Sequence, residues 1–195
     1  MIIIGAGAAG LETFLILLST GYKAEILFYD ENQSIPNVIN DSCKVIHNEN
    51  TLIKQLKFDP HFVVAIGNPR IREKMTNKMI RLGGKPSTIK ADNHSCLSLI
   101  PENGSILQPG VVISTNVIIG QACMIHANTV IGHSVNIGDF VSISPLVSVI
   151  GPCSIGKYTF IGAGSVILPK ISIGQNVIVP AGSIVNRSLK DYETF

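Results

Sequence analysis

Hydrophobic residues divide this chain into two parts with different periods. From residue 107 onward an aliphatic side chain recurs every six positions without a break. All fourteen of these positions hold Leu, Ile or Val: Leu107, Ile113, Ile119, Ile125, Ile131, Ile137, Ile143, Val149, Ile155, Ile161, Ile167, Ile173, Val179 and Val185. Such an uninterrupted short repeat is typical of a solenoid, in which each repeat packs only on its neighbours.

The residues between the aliphatic positions indicate how the repeat turns. Four positions after most of them the side chain is small or β-branched, and glycine often follows the aliphatic residue directly, as at Gly120, Gly132 and Gly138. We interpret each hexad as one flat face and a corner of a triangular prism, with the aliphatic side chain inside and glycine helping the chain to bend. Three hexads then make one coil. About four to five coils, stacked about 4.8 Å apart, predict a parallel β-helix about 20 Å tall.

The first part of the chain alternates between strand-like and helix-like segments. The predicted elements are a strand at 2–4, a helix at 8–19, and strands at 24–29 and 62–66. Asn68 can cap a further helix, with Pro69 at the first helical position. The residues that follow carry apolar side chains at helical spacing. This order predicts a small parallel α/β unit. We therefore expect a Rossmann-like domain over 1–90, a connecting region over 91–105 and a β-helix over 106–195.

Composition excludes several classes of protein. Hydrophobic residues make up 46% of the chain, rich in the Ile and Val that favour strands, and the net charge is +2 without a basic run. This predicts no nucleic-acid partner and no acidic membrane partner. The apolar stretch 2–18 lacks a basic start and contains Glu12, so we exclude a signal peptide and a membrane span. Four scattered cysteines without a CxxC pair indicate thiols in a reducing cytoplasm.

A glycine-rich loop follows the first predicted strand and opens the first predicted helix. Gly5, Gly7 and Gly10 form the pattern GxGxxG, whose backbone N–H groups and helix dipole favour a phosphate. A dinucleotide oxidoreductase or a purely structural turn would show the same pattern. The head is too short for the six-stranded double unit that binds NAD, so a nucleoside diphosphate-sugar fits better.

Four segments together resemble one family. They are Ile3-Ile4-Gly5-Ala6-Gly7, Ala65-Ile66-Gly67-Asn68, Val130-Ile131-Gly132-His133, and the run from Ile137 to Pro145. The chain resembles, over essentially its whole length, the sialic acid O-acetyltransferase and nucleotide-aminosugar N-acetyltransferase family (NeuD/PglD-like). The resemblance implies a left-handed parallel β-helix, a cytoplasmic homotrimer, and transfer from acetyl-CoA to an amino or hydroxyl group of a nucleotide-activated or sialic-type sugar.

His133 is the residue that matches the general base of this family. It lies two positions past the inward Ile131, so it should lie outside the coil, where an imidazole suits proton transfer near neutral pH. An ordinary surface histidine is the alternative. His126, also in an exposed position, is the rival base, and we otherwise expect it to contact the cofactor.

The resemblance also implies the remaining binding residues, and no metal. Acceptor-binding residues are expected at Gly5, Gly7, Gly10, Asp30, Glu31, Gly67 and Asn68. Contacts to acetyl-CoA are expected at His126, Ser142, Gly151, Ala163, Gly164 and Ala181. Ser142 stands where the family has a second histidine, thought to contact the acetyl group.

Two other functions stay open at this point. One is a non-catalytic trimer that binds nucleotide sugars. The other is a zinc hydrolyase of the carbonic anhydrase type on the same fold, which needs three histidines, whereas the repeat region offers only His126 and His133.

Overall fold

The computed structural model describes residues 1–40 and 43–195, and its N-terminal head is an α/β unit. The head strands are β1 (Ile2–Ile4), β2 (Leu27–Tyr29), β3 (Val38–Ile39), β4 (Cys43–Ile46), β5 (His61–Val64) and β6 (Lys85–Pro86). The helices are α1 (Ala8–Ser19), α2 (Glu49–Phe58) and α3 (Pro69–Arg81). The strand order is β3-β4-β2-β1-β5-β6; β3 runs antiparallel to β4 and the other pairs are parallel.

The isoleucines of β1 show why the head has three layers. Ile3 packs in one cluster with Phe14 of α1, whereas Ile2 and Ile4 pack in another with Leu52 of α2. Successive side chains of a strand point to opposite faces, so a strand that is apolar throughout must be covered on both sides. Each of the three isoleucines is accordingly at most 1% exposed.

Two of the three helices agree with the sequence predictions. α1 covers the predicted residues, and α3 begins at Pro69 with the Asn68 side chain accepting hydrogen bonds from the first turn. The helix α2 was not among the predicted elements. Its signal was available, because Asn48 caps it and Leu52 and Leu56, one turn apart, are buried.

Short parallel strands after the head form a triangular prism. The head-side face consists of β7 (Ile89–Lys90), β9 (Ile106–Leu107), β12 (Met124–Ile125), β15 (Ser142–Ile143), β18 (Phe160–Ile161) and β21 (Ile178–Val179). The apolar face consists of β8 (Ser95–Cys96), β10 (Val112–Ile113), β13 (Val130–Ile131), β16 (Ser148–Val149), β19 (Val166–Ile167) and β22 (Ile184–Val185). The polar face consists of β11 (Ile118–Ile119), β14 (Val135–Ile137), β17 (Cys153–Ile155) and β20 (Ser172–Ile173).

The aliphatic positions of the repeat form the core of this prism. All fourteen lie in one cluster and are at most 4% exposed. Ile131 pairs with Val149, eighteen residues later, so three hexads make one coil as predicted. Burying one such side chain stabilises the fold by about 1.5–3 kcal/mol, so the continuous stack explains why the period has no break.

The corners correct the role given to glycine in the sequence analysis. The backbone turns at a residue of positive φ three positions after the aliphatic one, for example at Asn116, Phe140 and Lys170. Gly132 and Gly138 directly follow aliphatic positions but lie outside this set of positive-φ residues. A Cβ at either one would come within 3.0 Å of backbone atoms in the next coil. Glycine there permits close stacking of coils and does not produce the bend.

The sheets of the prism begin before residue 106. β7 pairs with β9, and β8 pairs with β10. The Ser98 hydroxyl donates to the carbonyl of Ser114 (2.6 Å) and accepts from the amide of Val117 (3.0 Å). Residues 89–98 therefore contribute a partial first coil.

The head rests on the head-side face and on the corner between the polar and head-side faces. Ile106 and Met124 of this face belong to the same apolar cluster as Phe14 of α1. Polar contacts also join the two parts: Gln108 Nε2 to Glu12 (2.8 Å), Tyr158 Oη to Glu73 (2.7 Å) and Arg70 Nη2 to Asn176 (2.7 Å). Within the described residues, no helix has the length and apolar character needed to cross a membrane.

Candidate functional site

The loops that follow β1, β2 and β5 meet at one edge of the head sheet. β2 lies on one side of β1 and β5 on the other, and ligands of open α/β sheets bind at such a reversal, outside the carboxyl ends of the strands. A cavity of about 120 Å³ lies there, lined by Gly5, Asp30, Glu31 and Ile66 among others. The structure therefore brings three of the predicted acceptor residues into one crevice.

The three glycines of the first loop have different surroundings. A Cβ on Gly10 would lie 2.0 Å from the carbonyl oxygen of Gly5, so Gly10 is required for α1 to pack against the loop. Gly5 has a φ of +100°, and a Cβ there would lie 2.9 Å from Ile66. Around Gly7 no atom lies within 4 Å of a built Cβ. Packing thus explains Gly5 and Gly10, whereas Gly7 faces open space that a ligand can enter.

The beginning of α1 has the electrostatics of an anion site. Gly7 precedes the helix without a side-chain cap, and this fully described helix has no acidic residue in its first turn. The first N–H groups of a helix have no partners within it, and the helix dipole favours negative charge there. A phosphate group placed beside Gly7 would accept hydrogen bonds from these N–H groups.

Asp30 supports the glycine loop. Its carboxylate accepts hydrogen bonds from the backbone N–H groups of Ala6 and Asn32, both at 2.9 Å. The Nδ1 atom of His47 lies 2.8 Å from the carbonyl oxygen of Asp30. Asp30 thereby joins the ends of β1 and β2 and sets the shape of the crevice.

Glu31 is the charged group at the mouth of the crevice. Lys78 of α3 donates to it at 2.8 Å and also pairs with Glu49. The hydrogen bond from Lys78 holds the pKa of Glu31 below its usual value. Glu31 is therefore a carboxylate at neutral pH, suited to accept hydrogen bonds from a sugar or a base.

The loop after β5 contains the predicted residues Gly67 and Asn68. The Asn68 side chain accepts hydrogen bonds from the amides of Arg70 and Ile71, so its oxygen serves as the cap of α3. The carbonyl of Gly67 accepts from Arg72, a fully buried residue that sequence reasoning missed. The desolvated environment of Arg72 lowers its pKa to about 10. An arginine in an otherwise ordinary helical pattern gives no sequence signal of such burial.

His133 lies away from the head, on the far edge of the prism. We define the far edge as the corner segments 114–117, 132–134, 150–152 and 168–171, between the apolar and polar faces. His133 is exposed, and its Nδ1 lies 3.3 Å from the hydroxyl of Ser134. Within one chain the whole apolar face separates it from the side on which the head rests. The structure therefore does not bring His133 to the head crevice of its own chain.

His126 lies on the opposite border of the apolar face. We define the head edge as the corner segments 108–111, 126–129, 144–147, 162–165 and 180–183, between the head-side and apolar faces. Burial lowers the pKa of His126, and the nearby Glu12 carboxylate opposes this effect. Gln108 links Glu12 to the residue after His126: its side chain donates to Glu12 at 2.8 Å and accepts from the amide of Ala127 at 3.1 Å. A cavity of about 310 Å³ lies between Gln108 and α1.

The residues expected at acetyl-CoA fall into three places. Ala163, Gly164 and Ala181 are exposed on the head edge, the edge that also carries His126. Gly151 lies on the far edge, one coil beyond His133. Ser142 is 5% exposed beneath the head, and its hydroxyl accepts a hydrogen bond from Arg72 at 2.9 Å.

Nucleophilic cysteine chemistry and a metal centre have no support in this geometry. Burial raises the pKa of Cys123 to about 12 and raises the pKa of Cys153, so both thiols stay protonated. Across residues 1–40 and 43–195, no three His, Cys, Asp or Glu side chains lie close enough together to hold a metal ion.

Family models of known sequences match the head and the prism separately. Residues 1–79 match the PglD N-terminal domain. Residues 134–169 and 152–187 match the bacterial transferase hexapeptide (six repeats), and residues 116–144 match the hexapeptide repeat of succinyl-transferase. The two matched regions correspond to the head and the prism.

Individual proteins match nearly the full length. GDP-perosamine N-acetyltransferase of Escherichia coli O157:H7 is 30% identical over 192 residues, which covers 92% of this chain and 82% of the relative. A structure of an asparagine-for-histidine variant of perosamine N-acetyltransferase from Caulobacter crescentus, with CoA and GDP-perosamine, has a TM-score of 0.84 at 23% identity, covering 97% of this chain and 90% of that chain. The acetyltransferase domain of PglB from Neisseria gonorrhoeae FA1090, with acetyl-CoA, has a TM-score of 0.72 at 25% identity and covers 99% and 93%.

Proposed function

The chain belongs to the NeuD/PglD-like family of sugar acetyltransferases, an α/β head on a left-handed β-helix as predicted, and from this we propose that it transfers an acetyl group from acetyl-CoA to the amino group of a nucleotide-linked sugar. Nitrogen is favoured over oxygen because the 30% identical relative is an N-acetyltransferase. The observation that carries the proposal is the pairing of an anion-binding crevice in the head with an exposed histidine on the prism.

The head crevice takes the nucleotide part of the acceptor. The open space at Gly7 and the uncapped start of α1 suit the diphosphate. Glu31, kept ionised by Lys78, suits hydroxyl or N–H groups of the nucleoside. Asp30 holds the loop in place through the amide of Ala6.

The active site forms between two copies of the chain. Within one subunit, the head crevice adjoins the head edge and His133 lies on the far edge. The apolar face between these edges exposes Val112, Val130 and Ile184, each at least 40% exposed. The outward positions of the polar face are mostly polar: Asn136, Ser154 and Ser172 beside the single Ile118. Packing three apolar faces around a threefold axis brings the head edge of one subunit to the far edge of the next. His133 of one subunit then meets the acceptor held by another.

Acetyl-CoA lies in the groove between these edges. Ala163, Gly164 and Ala181 leave the backbone of the head edge accessible, so the pantetheine chain can approach closely. His126, on the same edge, is the candidate contact nearer the head. We place the reaction in the cytoplasm, the setting favoured by the free thiols of Cys96, Cys123 and Cys153.

The chemistry needs one proton acceptor. Neutral His133 takes the proton from the acceptor amine while the nitrogen attacks the thioester carbonyl carbon. Backbone N–H groups stabilise the tetrahedral oxyanion. The C–S bond breaks, CoA leaves as the thiolate and receives the proton from the imidazolium, and the amide product forms without an acyl-enzyme.

An assay of thiol release tests the proposal directly. Acetyl-CoA and amino sugars linked to GDP or UDP should yield free CoA thiol, together with an acetylated sugar nucleotide seen by mass spectrometry. The matched controls are the same amino sugar without its nucleotide and a nucleotide sugar with hydroxyl in place of the amine. Thiol release with the hydroxyl sugar alone would make the enzyme an O-acetyltransferase. Nucleotide binding without any thiol release would make the protein a non-catalytic binding trimer.

Two isoleucine substitutions test the assembly. Ile184 on the apolar face and Ile118 on the polar face are 62% and 64% exposed, so they form a matched pair. Ile184→Glu should break the trimer, because it places three charges in the apolar contact, and should abolish turnover since the site is then incomplete. Ile118→Glu should leave both unchanged. Light scattering that shows a trimer for Ile184→Glu, or a monomer for the wild type with full activity, would contradict this arrangement.

A further inference from the structure

Arg72 of α3 is a buried cation without a negative partner. It is 0% exposed, and no carboxylate among the described residues pairs with it. Removing a charge from water costs several kcal/mol unless hydrogen bonds replace the lost hydration. The fold here satisfies all five N–H groups of the guanidinium with neutral oxygens. Such complete satisfaction indicates that the structure depends on the fork geometry of arginine.

Three of these hydrogen bonds connect Arg72 to the prism. Nε donates to the carbonyl of Ala122 (2.8 Å), and Nη2 donates to the carbonyl of Phe140 (2.7 Å) and to the hydroxyl of Ser142 (2.9 Å). These acceptors belong to two neighbouring coils. They fix the guanidinium at one place on the prism.

The remaining two hydrogen bonds connect Arg72 to the loop that follows β5. Nη1 donates to the carbonyls of Ile66 (2.7 Å) and Gly67 (2.9 Å). A trans peptide is planar, with its N–H antiparallel to its C=O. Because both carbonyls point at Arg72, the N–H groups of Gly67 and Asn68 point away from it. Ile66, whose carbonyl Arg72 holds, also lines the acceptor crevice, so the loop that carries these two donors borders the crevice.

We propose that Arg72 is a positioning residue for acceptor binding: it fixes the direction of the Gly67 and Asn68 N–H groups, which then donate to the phosphates of the nucleotide, and it holds this loop at a set place on the prism. The proposal rests on the assignment of the head crevice to the acceptor nucleotide. It adds a role that no side chain in the crevice itself performs.

Binding of GDP and UDP without sugar tests this role. Arg72→Lys keeps the charge but cannot hold two loop carbonyls and three prism acceptors at once. The Kd for whichever nucleotide the wild type binds should rise about tenfold by calorimetry, whereas the Kd for CoA should stay within about twofold. A residue that only attached the head to the prism would lower the melting temperature and leave the nucleotide Kd unchanged, and that result would overturn the proposal.

Arg70 supplies the matched control. It lies on the same helix and also joins the head to the prism, through Asn176 (2.7 Å) and the ring of Tyr158 (3.8 Å), but it does not hold the loop carbonyls. Arg70→Gln should leave the nucleotide Kd unchanged. An equal loss of affinity in both variants would show that attachment of the head, and not direction of the loop, is what matters.

A measurement on the wild type keeps the test independent of how the variants fold. Titration with GDP or UDP should shift the amide NMR signals of Gly67 and Asn68 strongly. Saturation with nucleotide and no shift at these two amides would overturn the proposal even if Arg72→Lys does not fold. If neither nucleotide binds the wild type, the assignment of the crevice is at fault.

Discussion

Replacing His133 by alanine is expected to lower kcat by about 10²–10⁴, the range that follows the loss of a positioned proton acceptor. The side chain is exposed and its ring has a hydrogen bond to the neighbouring Ser134, so the variant should keep its fold and the proposed trimer. Affinity for acetyl-CoA should hardly change, because the imidazole acts on the acceptor amine. Steady-state kinetics with both substrates varied, together with light scattering, measure these effects.

The pH profile separates proton transfer from a merely structural effect. In the wild type, kcat/KM should fall on the acid side, because protonation of the general base removes its ability to accept the proton of the amine. The His133→Ala variant should lose this limb. An amine acceptor adds its own titration, so the two profiles must be compared with the same substrate.

His126 is the matched control for His133. Burial lowers the pKa of His126, which keeps it neutral at physiological pH, but it lies on the head edge. His126→Ala should therefore lose much less activity. If the two variants behaved the other way round, His126 would be the base and the family match would be displaced by about one hexad. If neither substitution lowered the activity of an intact trimer, the proposal of acyl transfer itself would be wrong.

The period of six was sufficient to predict the core of the prism but not its corners. Every aliphatic position is buried because its side chain points inward, together with the small or β-branched side chain two positions before it, as Val135 does before Ile137. Some corner residues, such as Asn116, favour positive φ by themselves, but Phe140 and Lys170 adopt it at equivalent positions. Stacked coils impose this conformation on whatever residue lies there, so a pattern based on the preferences of single residues could not find it.

The position of the head crevice was predictable because the residues that line it are adjacent to strand ends. Gly5, Asp30 and Glu31 follow β1 and β2 directly, and parallel strands end at the same edge of a sheet. Arg72 was not predictable, because its partners Ala122, Phe140 and Ser142 on the prism lie 50 to 70 residues away in sequence. The separation of His133 from the head likewise depends on which prism face the head covers, and periodicity carries no information about that choice.

Replacing Gly151 by alanine is expected to lower kcat by about 10²-fold through displacement of His133. A Cβ on Gly151 would lie 1.6 Å from the carbonyl oxygen of His133 and 2.8 Å from its carbonyl carbon, so the two coils must move apart at this point. A shift of about 1 Å in a catalytic group costs on the order of 10²-fold in rate. The KM for acetyl-CoA should stay nearly constant, and the melting temperature should fall.

Gly156→Ala distinguishes this local effect from a general loss of stability. A Cβ on Gly156 would lie 2.5 Å from the carbonyl carbon of Gly174, so it also forces two coils apart, but at the corner between the polar and head-side faces. Both variants should melt earlier, and only Gly151→Ala should lose kcat. An increase in the KM for acetyl-CoA with kcat retained would instead assign Gly151 to the pantetheine. Equal loss of kcat in both variants would show that rigidity of the whole prism, and not the place of His133, limits the reaction.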